Sequence, residues 1–269
     1  VGKQANLDLE IFSMGIAIGD YNEDGLLDHY ITNIGKNYLF KNKGNLQYEE
    51  EGEVGGVNNT YNFGSGGFVF AAGWGTAFFD YDNDTYLDLF VSNGYIPAIE
   101  SLKNAENATN KLYRNNQANG TFIDMSSITG LANLDICRGM AVGDYDNDGD
   151  MDILVVAITD PSRPETFEDH VMLYRNDTPT DNWLKVALEG VTNNKEGIGS
   201  HIEVSVDGRT FLREIDGGSS HASHNSTIAH FGLGDYEDIE ELKVRWLGGE
   251  EQVFTNISAN QTVYIREGE

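Results

Sequence analysis

Three ten-residue stretches constrain this chain more than anything else in it: GDYNEDGLLD from Gly19, FDYDNDTYLD from Phe79 and GDYDNDGDMD from Gly143. The last puts five aspartates into ten positions. So much like charge in one turn needs a bound cation or full exposure to solvent. Aligned on their first aspartates, Asp20, Asp80 and Asp144, the loops recur after 60 and 64 residues. A period of that size marks a repeating supersecondary unit, slightly longer than common propeller blades.

Each loop has the same flanks. A short run of apolar and small residues precedes it (MGIAIGD, GWGTAFFD, RGMAVGD), and a β-branched or aromatic run follows (LDHYITN, LDLFVSN, MDILVVA). Both read as short strands bounded by turns. Further strands are expected in NYLFKNKGNLQYEE, NKLYRNNQANGTFIDMS and VMLYRNDTPTDNWLKV, giving about four per unit. No sustained helical stripe occurs in residues 1–178, and the few turns of helix expected, as in PAIESLKNAENA, fall between units. From about Asp181 the repeat gives way to NWLKVALEG, GSHIEVSVDG, RTFLREID, IEELKVRWLGG and QTVYIREG, which alternate apolar and polar residues. The expectation is a second all-β unit, a compact sandwich over residues 179–269.

Within the loops, positions one, three, five and nine all carry oxygen: Asp20, Asn22, Asp24 and Asp28; Asp80, Asp82, Asp84 and Asp88; Asp144, Asp146, Asp148 and Asp152. A tight turn that aims alternate side chains inward suits a hard cation taking six to eight oxygens, which favours calcium over magnesium. Zinc and copper would ask for His or Cys, and the loops have neither. An EF-hand needs a bidentate Glu at position twelve between helices, whereas Ile31, Val91 and Val155 stand there within predicted strands. About three calcium ions are expected. The third loop is expected to bind tightest, since the first has Asn22 in place of a carboxylate and the second has Thr85 where Gly25 and Gly149 ease the turn in the others.

With 44 acidic against 17 basic side chains the net charge is −27, which disfavours nucleic acid and anionic membranes as partners. No apolar run is long enough to span a bilayer as a helix, and no signal peptide stands at the start; a chain opening on Val1 is expected to be processed or a piece of something longer. The single Cys137 cannot form an internal disulfide. Eight Asn-X-Ser/Thr sequons, where about three would arise by chance, favour an extracellular, glycan-bearing surface. Asn58, Asn107, Asn119, Asn176, Asn225, Asn256 and Asn260 are the candidate acceptors; the eighth, Asn83, lies inside an acidic loop where a glycan is awkward.

The segments GWGTAFFDYDND, NKLYRNNQANGTFIDMS and RGMAVGDYDNDGDMDILV resemble FG-GAP or VCBS calcium-loop β-propeller repeats across most of residues 13–178. The segments NWLKVALEG, GIGSHIEVSV, REIDGGSSHASHNSTIAHFGLG, LKVRWLGGEEQVF and NQTVYIRE resemble the ASPIC/UnbV domain across 181–269, an arrangement similar to the cartilage acidic protein-like family. The resemblance implies a secreted or surface calcium-binding protein in an adhesive or matrix role. The chain departs from the family at His221-Ala222-Ser223-His224, where Tyr-Leu-Ser-Gln is usual. Closed propellers have about four to eight blades. With about three here, the array is expected to lack N-terminal blades, to close against a partner, or to stay open.

Competing chemistry fares less well. His201, His221, His224 and His230 suggest zinc, but GGSSHASHNS reads as an exposed Gly/Ser loop whose histidines make hydrogen bonds. Ser219, Ser220 and Ser223 lack the strand-turn-helix setting of a nucleophile elbow, and GSGG at 64–67 lacks the Lys and helix of a phosphate loop. Paired carboxylates keep a carbohydrate-active enzyme as an alternative, and Trp74, Tyr95 and Trp183 a lectin-like platform. The expected function is therefore non-enzymatic: an extracellular, calcium-binding, adhesive β-protein, a partial or open propeller plus a β-sandwich-like domain. Its expected partners are a protein or glycan at the cell surface or matrix, with self-assembly or another chain completing the propeller.

Overall fold

The computed structural model describes residues 2–62, 68–96, 108–117, 119–159, 170–178 and 181–269. Among these the only helix is a four-residue turn, Gly2–Ala5. The expected turns of helix at 97–107, the GSGG segment and Asn107 lie outside the described residues.

Everything else is β-structure, with five sheets of three or four strands. The first is an antiparallel meander of β1 (Ser13–Gly19), β2 (Asp28–Asn33), β3 (Tyr38–Asn42) and β4 (Tyr48–Glu50). A two-stranded ribbon, β5 (Thr60–Asn62) and β6 (Phe68–Phe70), leads to the second meander of β7 (Gly73–Phe79), β8 (Asp88–Asn93), β9 (Lys111–Asn115) and β10 (Phe122–Asp124). The third holds β11 (Ile136–Gly143), β12 (Asp152–Ile158) and β13 (His170–Tyr174). Among the described residues it has three strands rather than the four expected of each unit, and β14 of the C-terminal region follows β13.

In each meander the acidic loop joins the first strand to the second. The first strands stand side by side, β1 against β7 and β7 against β11. All three carry an irregularity at the same place, at Met14–Gly15, Trp74–Gly75 and Arg138–Gly139. Glycine is needed there for close approach: a Cβ on Gly15 would lie 2.3 Å from the Trp74 carbonyl oxygen, and one on Gly75 would lie 2.9 Å from that of Arg138. Tyr21, Tyr30 and Leu39 of the first unit pack on Leu87, Leu89 and Val91 of the second; Phe79, Phe90 and Leu112 of the second pack on Met140, Ile153 and Val155 of the third.

The C-terminal region contributes two sheets that share one apolar core. One contains β14 (Asn182–Glu189) between β17 (Ala229–Gly234) and β22 (Gln261–Arg266), the last pairing parallel. The other runs β16 (Arg209–Glu214), β15 (His201–Val206), β19 (Glu241–Arg245), β20 (Glu251–Phe254). A short pair, β18 (Asp238–Ile239) and β21 (Ile257–Ser258), sits beside them. Strict alternation in HIEVSV aims Ile202, Val204 and Val206 inward against Leu184, Val186, Phe231 and Leu233.

The segment GGSSHASHNS is the exposed loop expected from its composition only in part: Gly217, Gly218, Ala222, His224 and Ser226 are exposed. Ser219 and Ser220 are buried because the segment lies along the three first strands. Ser220 pairs with Ile16 as an isolated antiparallel bridge, its N–H donating to the Ile16 carbonyl at 2.6 Å. Its hydroxyl accepts from the Thr76 N–H at 3.1 Å and donates to the Met140 carbonyl at 3.4 Å. His221 Nδ1 lies 3.0 Å from the Met14 carbonyl oxygen. Asn225 accepts from the Val142 N–H, and the Ser226 N–H donates to the Val142 carbonyl. One C-terminal segment thus contacts β1, β7 and β11 together, and the two regions form a joined structure.

Candidate metal centres at the acidic loops

The loops adopt one backbone conformation. Positions four and six are left-handed in all three: Glu23 and Gly25, Asn83 and Thr85, Asn147 and Gly149. Thr85, at φ 87°, holds a conformation that disfavours a β-branched residue. The turn folds around its first aspartate, which accepts main-chain N–H bonds: Asp20 from Asp24 and Gly25, Asp80 from Asp84 and Thr85, Asp144 from Gly149. The fifth-position carboxylates Asp24, Asp84 and Asp148 each accept from the N–H two residues on.

The ninth position ties each loop to its own sheet. Asp28 accepts from the Asn42 N–H at 2.7 Å, Asp88 from Asn115 at 2.8 Å and Asp152 from Asn176 at 2.8 Å. Those asparagines then donate back to the loops through their side chains, to Leu27, Leu87 and Met151. Asn115 also reaches the Tyr21 carbonyl at 2.8 Å and Asn176 that of Tyr81 at 2.6 Å, joining each sheet to the loop of the one before. The sequence reading missed this role, although LFKN, LYRN and LYRN display it once per unit.

Carboxylate oxygens of positions one, three and nine converge. Asp80, Asp82 and Asp88 each place one within 4.8 Å of the others, as do Asp144, Asp146 and Asp152. In the first loop the Asn22 amide donates to Asp28 at 2.9 Å. The fifth-position aspartates stand outside these clusters, and in the second loop Arg114 pairs with both Asp82 and Asp84 at 2.6 Å.

Buried oxygens without a partner test whether a cation fits. Asn22 Oδ1 in the first loop, Asp82 Oδ1 and Asn83 Oδ1 in the second and Asp144 Oδ1 in the third are buried with no hydrogen-bond donor. A buried unsatisfied polar group costs about 1–3 kcal/mol, more when charged. Hard oxygen donors around a common point match calcium's preference. The electrostatics agree: burial pushes the Asp28 carboxyl up to about 8. Burial and then neighbouring aspartates raise Asp80 and Asp88 well above the carboxylate range. Ionising these groups without a counter-charge is therefore costly.

The C-terminal region supplies some of that counter-charge, a feature absent from the sequence reading. Lys185 lies 2.5 Å from Asp144 and 3.4 Å from Asn147. Arg209 grips Glu23 at 2.7 Å and 2.9 Å and donates to the Thr85 hydroxyl at 2.9 Å. Arg213 is half-buried and senses the charges of Asp80 and Asp20. The second loop approaches β17 so closely that a Cβ on Gly232 would lie 2.0 Å from Asp80 Oδ2. His230 Nε2 donates to the Gly149 carbonyl at 2.9 Å.

Other candidate residues take different places. Tyr95 is buried, and the Trp74 ring is occupied by the Arg138 guanidinium at 3.9 Å and by His221. Trp183 lies against Gly149 of the third loop. Among the sequons, Asn119, Asn256 and Asn260 are exposed, and Asn58 is half-buried. Asn83 is buried, while Asn176 and Asn225 use their amides in the hydrogen bonds described or to Ser219.

The fold and loops define an all-β protein of acidic-loop repeats joined to a C-terminal β domain. Residues 101–155 match the family model of the FG-GAP-like repeat, and residues 190–269 match that of ASPIC and UnbV. The chain thus carries a match to each of these two modules, the second following the first. It is similar to human cartilage acidic protein 1, 25% identical over 256 residues, covering 94% of this chain and 35% of that protein. The mouse cartilage acidic protein 1 is 26% identical over 238 residues, covering 87% and 34%. The chain spans about a third of the length of these relatives. The crystal structure of the V. cholerae biofilm matrix protein Bap1 aligns over 92% of this chain and 41% of its own, at 13% identity and a TM-score of 0.34.

Proposed function

We propose that this chain is an extracellular, calcium-stabilised scaffold, without enzymatic activity, whose propeller-type sheets and C-terminal sandwich present a surface to a partner protein or glycan. The observation that carries the reading is the threefold recurrence of one loop conformation with a buried oxygen lacking a partner in each. The residues that would hold calcium are Asp20, Asn22 and Asp28, then Asp80, Asp82 and Asp88, then Asp144, Asp146 and Asp152, with the fifth-position aspartates close by. Bound calcium would supply positive charge to offset the repulsion among these carboxylates inside a folded turn.

Three features support an extracellular adhesive role: the FG-GAP-like repeats, the likeness to relatives named for cartilage, and the exposed sequons. No helix among the described residues is long and apolar enough to cross a membrane. The acidic groups are accounted for by their loops, and the aromatic residues Trp74 and Tyr95 are engaged within the structure, which favours a scaffold over a carbohydrate-active enzyme.

Calorimetric titration and thermal melts with and without chelator test the metal. About three ions per chain and a lower Tm in chelator are expected; no uptake and an unchanged Tm would sink the reading. A panel of polysaccharides and matrix proteins, with calcium, tests the role. Saturable binding without turnover is expected, and turnover would reassign the chain to the enzymes.

A further inference from the structure

The groove between the first and second sheets and the groove between the second and third are built from the same positions. In the first, Tyr21, Leu39, Val57, Leu87, Leu89 and Tyr113 pack together, and Phe122 of β10 packs against them. The Phe122 and Tyr21 ring centroids are 5.7 Å apart. In the second, the counterparts are Tyr81, Leu112, Leu131, Met151, Ile153 and Tyr174, with Val57 and Leu131 each following a left-handed glycine at φ 77°. These six line a cavity of about 340 Å³, a size suited to a bound group. Among the described residues, nothing stands in it where Phe122 stands in the first groove.

The backbone repeats the relationship. Phe122 lies opposite Asn115 in the ladder of β9 and β10, and its N–H turns to the Gly55 carbonyl of the first unit at 2.9 Å. Thr129 is the counterpart of Gly55 and lines the cavity; among the described residues nothing donates to its carbonyl. Asn176, the counterpart of Asn115, follows β13, and among the described strands the third sheet ends at β13. An acceptor, a sheet edge and an apolar cavity therefore meet beside Tyr174. The polar groups at the rim are already engaged, Arg175 with Asp177 at 2.7 Å and the Asn176 amide with the Tyr81 carbonyl. What the interior accepts is an apolar ring.

We propose that this cavity is a docking site for an extended segment of a partner protein, which adds to β13 as β10 adds to β9 and places a phenylalanine-like side chain between the second and third sheets. Main-chain bonds along the edge supply affinity, and the ring in the cavity supplies specificity. A net charge of −27 favours a segment with positive charge beside that ring. The inference rests on the proposed scaffold role and names the chemistry of the partner segment.

Fluorescence anisotropy tests it, with a labelled peptide of residues 119–125 carrying Asp124→Lys, titrated with the whole chain in calcium buffer. Saturable binding is expected, weakened by about tenfold or more when the peptide also carries Phe122→Ala. In the chain, Leu131→Trp fills the cavity and is expected to weaken binding by as much. Should its bulk prevent folding, Ile128→Lys keeps the test open, since Ile128 lines the same cavity and is 76% exposed. No binding of the peptide, equal binding of its Phe122→Ala form, or undiminished binding by the folded chain variants overturns the proposal. Thermal melts with calcium and chelator on the same samples separate it from the metal reading. A normal calcium response without peptide binding defeats the docking alone, whereas peptide binding by a chain indifferent to calcium upholds the docking and sinks the calcium-stabilised scaffold.

Discussion

The Lys185 ammonium lies 2.5 Å from the Asp144 carboxylate, with the two side chains only 6% and 2% exposed. A β14 residue of the C-terminal core thus supplies a cation to the third acidic loop, and Asp144 Oδ1 still lacks a partner. Removing one member of a buried pair costs about 3–5 kcal/mol, because the other charge stays behind. Lys185→Met should therefore destabilise the chain strongly in chelator and much less in calcium. Equal losses of Tm in both conditions would mean that no cation shares Asp144 with Lys185.

Asp146 isolates the metal contribution. It is exposed, and its carboxylate joins the cluster of Asp144 and Asp152 without a hydrogen bond in the described structure. Asp146→Asn should leave stability in chelator within about 0.5 kcal/mol of the wild type, as surface substitutions generally do. In calorimetry it should weaken one of the calcium sites by about tenfold or more.

Asn115 carries three main-chain bonds from a buried position, two of them through its amide to Tyr21 and Leu87. Asn115→Ala strands those two carbonyls, at about 1–3 kcal/mol for each group left unsatisfied. Urea unfolding should show a lower midpoint with an unchanged m-value. A midpoint equal to the wild type would deny the asparagine its part in joining the sheets.

Secretory expression should separate the sequons by exposure. Peptide mass mapping is expected to find glycans at Asn119 and Asn256, and none at Asn83, Asn176 or Asn225, whose amides are buried or hydrogen-bonded. Full occupancy at Asn83 would contradict the contact its amide makes with Asp150 at 3.1 Å.

His230 sets a pH dependence of known sign. Burial, foremost, pushes its imidazole from the ordinary 6.5 down to about 4. As pH falls the unfolded chain takes up this proton first. The stability contributed is full above 6.5 and is lost toward pH 4, a loss on the order of 3 kcal/mol. His230→Gln keeps an N–H donor for the Gly149 carbonyl and cannot charge. Its unfolding free energy should fall less steeply between pH 6.5 and 4.5, and parallel slopes would refute the assignment.

The acidic loops were legible because each ligand set is local: nine consecutive residues fix both the oxygen pattern and the turn that gathers them. The strands beside them showed for a similar reason, since alternation along HIEVSV or LDLFVSN records which face is buried. The asparagines of LFKN and LYRN were visible as a pattern but not as a function. Their meaning depends on carbonyls such as Tyr21 O, which belong to the preceding unit.

The sequence by itself determined an all-β chain, three cation-suited loops and a change of texture near residue 181, because these follow from short-range periodicity and charge. Tertiary structure alone decided that Ser220 and Asn225 lie along three inner strands, that Lys185, Arg209 and Arg213 face the loops, and that Tyr81 and Tyr174 line one cavity. Each of these depends on groups tens to hundreds of residues apart meeting at one place, and such meetings leave no spacing in the sequence to read.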